Sequence, residues 1–263
     1  MKQLLAGPWI GEFGWEIAVW VPVVRALSRK YDETIVLAPA SSFGLYQDFA
    51  DTMFEHRASG RKDRWLCGGQ KAKMPEHITS VYPNADVRRP RKRKCLHWDR
   101  LTEKPYSGEL VGGRHDVLLH IRDIPERKDG DRNWSVKEFV KLIKMLRDNH
   151  PNIRIATIGG NNSRSLMGIE SLNNVALPVL MGHLSHAKVC VGTSSGPMHL
   201  ASFCGCPHVV FSDSKFKKVI GGTNRHRYER LWNPLKTPVT VLDKWDWHPP
   251  VSKVLKAVEG YLV

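Results

Sequence analysis

The stretch KVCVGTSSGPMHLASFCGCPHVVFSDS, from Lys188 to Ser214, decides how the chain is read. It predicts a strand over Lys188 to Val191, a turn of small residues, a helix over Pro197 to Cys204 and a second strand over His208 to Phe211. Thr193, Ser194, Ser195 and Gly196 put hydroxyls and backbone amides at the helix N-terminus, and Pro197 suits its first turn. Such a terminus favours an anion, because its unbonded N–H groups and the helix dipole act together. Ligands of open parallel sheets collect at the carboxyl ends of the strands, which is where this turn falls. Residues 193 to 199, including Met198 and His199, are thus expected to hold a phosphate group.

Outward from the turn the pattern alternates. Upstream lie expected strands at Asp116 to Ile121 and Ile153 to Ile158, and a helix from Ser135 to Asn149 with Glu138 completing a capping box. Helices are also expected over Ser163 to Ser171, Leu177 to His186 and Val251 to Leu262, the last free to pack on either domain. Near the start, Gln3 to Ala6 reads as a strand, Gly7 to Gly14 as a glycine-rich loop and Trp15 to Lys30 as a helix. Thr34 to Ala38 reads as a strand, Phe43 to Phe54 as a helix and Ile78 to Tyr82 as a strand. Strands alternating with helices imply parallel sheets with right-handed crossovers.

The net charge of +14 is unevenly spread. Between Arg57 and Lys104 there are 14 Lys/Arg against 5 Asp/Glu, densest at Arg88, Arg89, Arg91, Lys92, Arg93 and Lys94. That surplus points to a polyanionic partner: nucleic acid, an anionic membrane surface or a phosphorylated glycan. Trp65, Trp98 and Tyr106 are candidates to stack on bases. The five cysteines show no CxxC, and the histidines are scattered, so no metal is expected. No apolar run is long enough to span a bilayer and no secretory signal is evident, which reads as a cytoplasmic chain with no membrane span.

Ser194 to Ala201, followed by Pro207 to Phe211, resembles the donor-binding signature of GT-B glycosyltransferases, especially the heptosyltransferase-like family 9. The family's small-residue turn runs Asp-Thr/Ser-Gly-Pro-x-His-Leu-Ala; here Ser194 stands at the acidic position. The family's "k-x-Wp-x-x-x-f-x-x-L" helix is matched by Asn133, Trp134, Ser135, Phe139 and Leu142. The resemblance puts Arg122, Arg127 and Lys128 near the donor diphosphate, Gly159 and Gly160 near the nucleotide, and Glu170 near a ribose. Upstream, Gly14-Trp15-Glu16 with Pro22 to Leu27 resembles "GDvxxtlPalraL", which sets Glu16 on the family's general base. Glu12 is the second candidate, with Gly11 and Trp15 beside the acceptor.

The implied fold is α/β and GT-B-like: two Rossmann-like domains with a cleft between them, the N-terminal one trimmed. Residues 1–110 would be the acceptor side, carrying the basic segment 57–104, and residues 111–263 would bind the nucleotide sugar. The implied activity is metal-independent, inverting transfer of a sugar from a nucleotide-sugar donor to a hydroxyl, with no cofactor. The basic run favours a hydroxylated base in DNA as acceptor. An anionic glycolipid or polysaccharide is the alternative acceptor, and a non-catalytic nucleic-acid-binding protein on a degenerate transferase fold is the alternative class.

Overall fold

A computed structural model describes residues 1–56, 73–90, 105–125, 131–218 and 222–263. The chain divides into two compact units, Met1–Glu103 and Lys104–Val263.

The first unit is built on four parallel strands: β1 (Gln3–Ala6), β2 (Glu33–Ala38), β3 (Thr52–Glu55) and β4 (Asp86–Arg88), in the order β3-β2-β1-β4. After β1 come a short helix α1 (Phe13–Trp15), a π-helical turn (Glu16–Trp20) and α2 (Val21–Ser28). Pro22 falls in the first turn of α2, where its missing N–H costs nothing. Ile17, Val21 and Val24 bury one stripe of this helical run. Leu5, Ile35 and Leu37 form a core with Met74 and with Ile78 of α3 (Glu76–Val81).

Two expectations fail here. Residues 43–54 are not a helix: a 3-10 turn spans Ala40–Leu45, and Thr52–Glu55 pairs with Ile35–Ala38. The Asp51 carboxylate accepts the Thr34 N–H at 2.7 Å and starts that pairing. The Ile78 segment is helix rather than strand, begun by Pro75 at its N-cap position and by Glu76 in the first turn.

The second unit holds six parallel strands: β5 (Val117–His120), β6 (Ile155–Gly159), β7 (Glu170–Asn173), β8 (Val189–Thr193), β9 (His208–Phe211) and, last in the chain, β12 (Val239–Leu242). Two short strands, β10 (Lys217–Lys218) and β11 (Gly222–Thr223), pair antiparallel outside this sheet. The order is β12-β9-β8-β5-β6-β7. The sheet therefore grows both ways from β5, and its switch point lies between β5 and β8, where His120 pairs with Gly192. Val117, Leu119, Val189, Val191, Val209 and Phe211 alternate onto one face. They pack there against α4 (Val136–Asn149) and α8 (Val251–Leu262). On the other face the Cys190 thiol touches Met198 Sδ at 3.5 Å, from α6 (Gly196–Phe203) beside α5 (Leu177–His186).

Helix α4 is capped as its sequence implies, with Ser135 Oγ accepting the Glu138 N–H at 3.3 Å. The final helix lies on its own unit's sheet through Val254, Leu255 and Val258. Residues 163–171 are not helical. Arg164 N–H donates to the Ile121 carbonyl at 2.9 Å, and Glu170–Asn173 is the edge strand beside β6. Tyr106 is buried on Phe203 at 5.8 Å between ring centroids, so it supports α6 instead of stacking on a base. Trp65 and Trp98 lie outside the described residues.

Candidate functional site

The turn between β8 and α6 is set first by close packing at the switch point. A Cβ on Gly192 would stand 2.7 Å from the His120 carbonyl oxygen, so only glycine lets β8 lie this close to β5. Beyond Thr193, the Ser194 N–H donates to Phe211 at 3.1 Å, and extended Ser195 is the N-cap of α6. Ser195 Oγ donates back to the Thr193 carbonyl at 3.0 Å. Ser194 Oγ accepts the hydroxyl of Tyr228 at 3.3 Å. Tyr228 belongs to the π-helical stretch Arg227–Leu231, which follows the short helix α7 (Asn224–His226).

The turn is thus less open than its composition implies. Thr193, Ser194, Met198 and His199 are buried beneath it, while Ser195, Gly196 and Pro197 stay partly exposed. Partly exposed Gly196 opens α6, where the first N–H groups have no intrahelical acceptor and Pro197 has no N–H at all. His199 stacks on the Tyr228 ring at 4.7 Å and meets the Trp232 ring edge-on at 4.2 Å.

The cation that reaches this turn is one the sequence reading passed over. Arg132 donates to the Ser194 carbonyl oxygen. Its guanidinium lies 4.3 Å from the Trp247 ring and 5.3 Å from the Phe216 ring, beside two rings that meet edge-on at 5.1 Å. Trp247 has φ +73° and follows Asp246 at φ +44°. A bulky side chain in that region costs roughly 1–3 kcal/mol; here it places the ring under Arg132. The signal was available: Arg132 stands two residues before Trp134, where the family pattern has its basic residue.

Of the cations expected, Arg122 is mostly buried and donates to Asn133 Oδ1 at 2.6 Å. Asn133 Nδ2 donates in turn to the Ile124 carbonyl at 2.7 Å, so Arg122 braces this loop. Arg127 and Lys128 lie outside the described residues. Arg227 is buried over Trp232, its pKa pulled down by burial and by nearby Arg132. The sequence also holds one Asp-x-Asp pair, Asp129 and Asp131, the spacing used to hold metals in other transferases. Asp129 lies outside the described residues, and exposed Asp131 accepts the Asn133 N–H at 2.8 Å.

At the end of β6, Gly159 has φ +145°, and a Cβ there would meet Ser163 Oγ at 2.0 Å. Gly160 next to it is exposed. Both stand at the carboxyl end of the sheet with the β8 turn. Glu170 does not. It opens β7 at the amino end and accepts His115 Nε2–H at 3.0 Å, so the expectation of a ribose contact is corrected. His120 is buried between the two glycines, its ring Nδ1 3.3 Å from the Ile158 carbonyl.

In the first unit Glu16 is buried in the π-helical turn. Its carboxylate oxygens accept the Ser42 hydroxyl and the Tyr46 hydroxyl, each at 2.8 Å. Burial raises its pKa to about 7 against the lowering effect of those two bonds. Glu12 is exposed at the N-cap of α1, Gly11 is half-buried and Trp15 is buried. The Arg88 carbonyl accepts the Gly7 N–H at 2.9 Å, so exposed Arg88 and Arg89 stand at the loop end of this sheet. Arg91, Lys92, Arg93 and Lys94 lie outside the described residues.

No protein-family description matches the chain, and no curated protein matches it in sequence. Solved structures do. A glycosyl transferase family 9 structure from Veillonella parvula aligns with TM-score 0.62 and 12% identity, over 99% of this chain and 97% of that one. The ADP-heptose LPS heptosyltransferase II of E. coli aligns with TM-score 0.55 and 13% identity, over 100% and 98%. The chain has the family 9 glycosyltransferase fold. It is α/β and GT-B-like, with two parallel sheets. Among the described residues of this family 9 fold, no helix is long and apolar enough to cross a membrane, and no cluster of His, Cys, Asp or Glu could hold a metal ion.

The buried groups make the two units of the family 9 fold respond oppositely to pH. Glu16, raised from an ordinary 4.5 to about 7, stabilises the first unit below pH 4.5, and this stabilisation is lost as pH rises through 7. His120 and His208, lowered by burial from 6.5 to about 4, stabilise the second unit above pH 6.5 and lose this as pH falls through 4. Each shift corresponds to about 3 kcal/mol. His56 opposes Glu16 with a smaller effect, being less buried. Hydrogen exchange, corrected for its intrinsic pH dependence, is expected to show β1 and β2 less protected at pH 7.5 than at pH 5. The strands β5 and β8 should change in the reverse sense. A common direction in both units would refute this assignment.

Proposed function

We propose that the protein is a glycosyltransferase that takes its sugar from a nucleotide-sugar donor. The observation that carries this is Arg132 bonded to the Ser194 carbonyl at the start of α6, at the switch point of the second sheet. A guanidinium and a helix N-terminus together suit a diphosphate, and they stabilise the charge that develops as the nucleotide leaves. This supports transfer without a divalent ion, and a carboxylate base acting directly on the acceptor is what inverting, single-displacement transfer needs. Glu16, with its pKa near 7, is the favoured base for the acceptor hydroxyl, and Glu12 is the second.

For the acceptor, the reading favoured is an anionic glycolipid or polysaccharide met by Arg88, Arg89 and the basic run after them. The likeness to a heptosyltransferase that acts on LPS supports a glycan, whereas the hydroxylated DNA base expected from charge alone gains no support.

The test is nucleotide release from UDP-, GDP-, ADP- and CDP-sugars in the presence of EDTA. It is run without acceptor, with LPS fractions and with hydroxymethylated DNA. Release from one donor, stimulated by LPS, is expected. Stimulation by DNA alone would replace the acceptor, and loss of release in EDTA would replace the metal-free step. No release from any donor under any condition would overturn the transferase reading in favour of a binding protein.

A further inference from the structure

The residue that fixes the geometry of the β8–α6 turn comes from a part of the chain the sequence motifs do not reach. Tyr228 is fully buried, and its hydroxyl reaches into the turn. It donates to Ser194 Oγ at 3.3 Å. Burial pushes its pKa well up, so the hydroxyl stays neutral and protonated, able to donate and accept at once. Its ring stacks on His199 inside α6. The segment that carries Tyr228 is itself clamped. Asn224 Nδ2 donates to Ser212 Oγ at 3.0 Å, and Arg225 makes a two-pronged bond with Asp243 at 2.9 and 2.7 Å. The π-helical turn that follows aims Tyr228 at the N-cap of α6.

We propose that Tyr228 is a positioning residue for donor binding, holding Ser194 so that the Gly196 amide and Arg132 face the donor diphosphate together. Without the hydroxyl, the buried Ser194 oxygen loses this partner, and the turn relaxes to find another. This inference rests on the donor reading above.

The experiment compares Tyr228→Phe, which keeps the ring on His199, with the wild-type protein. Binding of ADP, UDP, GDP and CDP is measured by calorimetry, and amide exchange over residues 194–198 by mass spectrometry. Tyr261→Phe is the stability control; it removes a tyrosine hydroxyl bonded to Thr240 at 2.9 Å on the edge strand β12. The expected result for Tyr228→Phe is about tenfold weaker binding of the preferred diphosphate and faster exchange at the turn, with both unchanged in Tyr261→Phe. Equal diphosphate affinity in Tyr228→Phe and wild type would overturn the positioning role while leaving the donor reading intact. So would equal weakening in both variants. If the wild-type protein binds none of the four diphosphates, the donor reading falls and this inference falls with it.

Discussion

Arg132→Ala is expected to lower kcat/KM for sugar transfer by about a hundredfold to a thousandfold, the usual loss when one preorganised charge-stabilising donor is removed. Arg132 is the described cation bonded directly to the turn, through the Ser194 carbonyl. Two aromatic rings and a strained backbone at Trp247 fix its direction. A site organised in advance stabilises developing charge without paying reorganisation at the moment of reaction. Arg132→Lys should restore little. An ammonium is a compact point charge that cannot reproduce the planar guanidinium's contact with the Trp247 ring while also donating to Ser194. The measurement is nucleotide release with the donor identified in the screen. Activity of Arg132→Ala within fivefold of wild type would show that the leaving diphosphate is neutralised elsewhere.

Glu16→Gln is expected to reduce kcat by about a hundredfold to ten-thousandfold, the range for loss of a positioned general base. The pH profile carries the finer test. A base must be ionised, and burial holds the Glu16 carboxyl near pKa 7. Activity should therefore fall about tenfold per unit as pH drops below 7 and level off above it. The hydroxyls of Ser42 and Tyr46 orient the carboxylate and limit that rise in pKa. Glu12→Gln, at an exposed position, should keep most of its activity and the same profile. If Glu12→Gln loses the activity instead, the roles exchange; if both variants remain fully active, neither glutamate is the base.

Much of the second sheet was legible because its elements announce themselves locally. The helices over Leu177–His186 and Val251–Leu262 and the strand His208–Phe211 have the bounds their periodicity implies. The capping box at Ser135 and Glu138 forms as written. Readings failed where a neighbour in space outweighed local pattern. Thr52–Glu55 is strand because β2 offers an edge, and Glu170–Asn173 because β6 does. Val239–Leu242, not anticipated at all, is strand through its pairing with β9.

The same division runs through the turn at Ser194. Its strand, small residues and helix start are properties of adjacent residues, since φ/ψ preferences and capping act over a few positions. From sequence alone these sufficed to expect an anion-binding turn and to draw the likeness to family 9. Which groups face a ligand could not be read that way. Arg132 lies 62 residues before Ser194 and Tyr228 34 residues after it. Tertiary packing brings both to the turn, directs the Ser194 hydroxyl inward to Tyr228 and sets Arg132 over its carbonyl. Sequence spacing carries no distance across a sheet, so only the folded chain decided that an arginine and a tyrosine shape the turn.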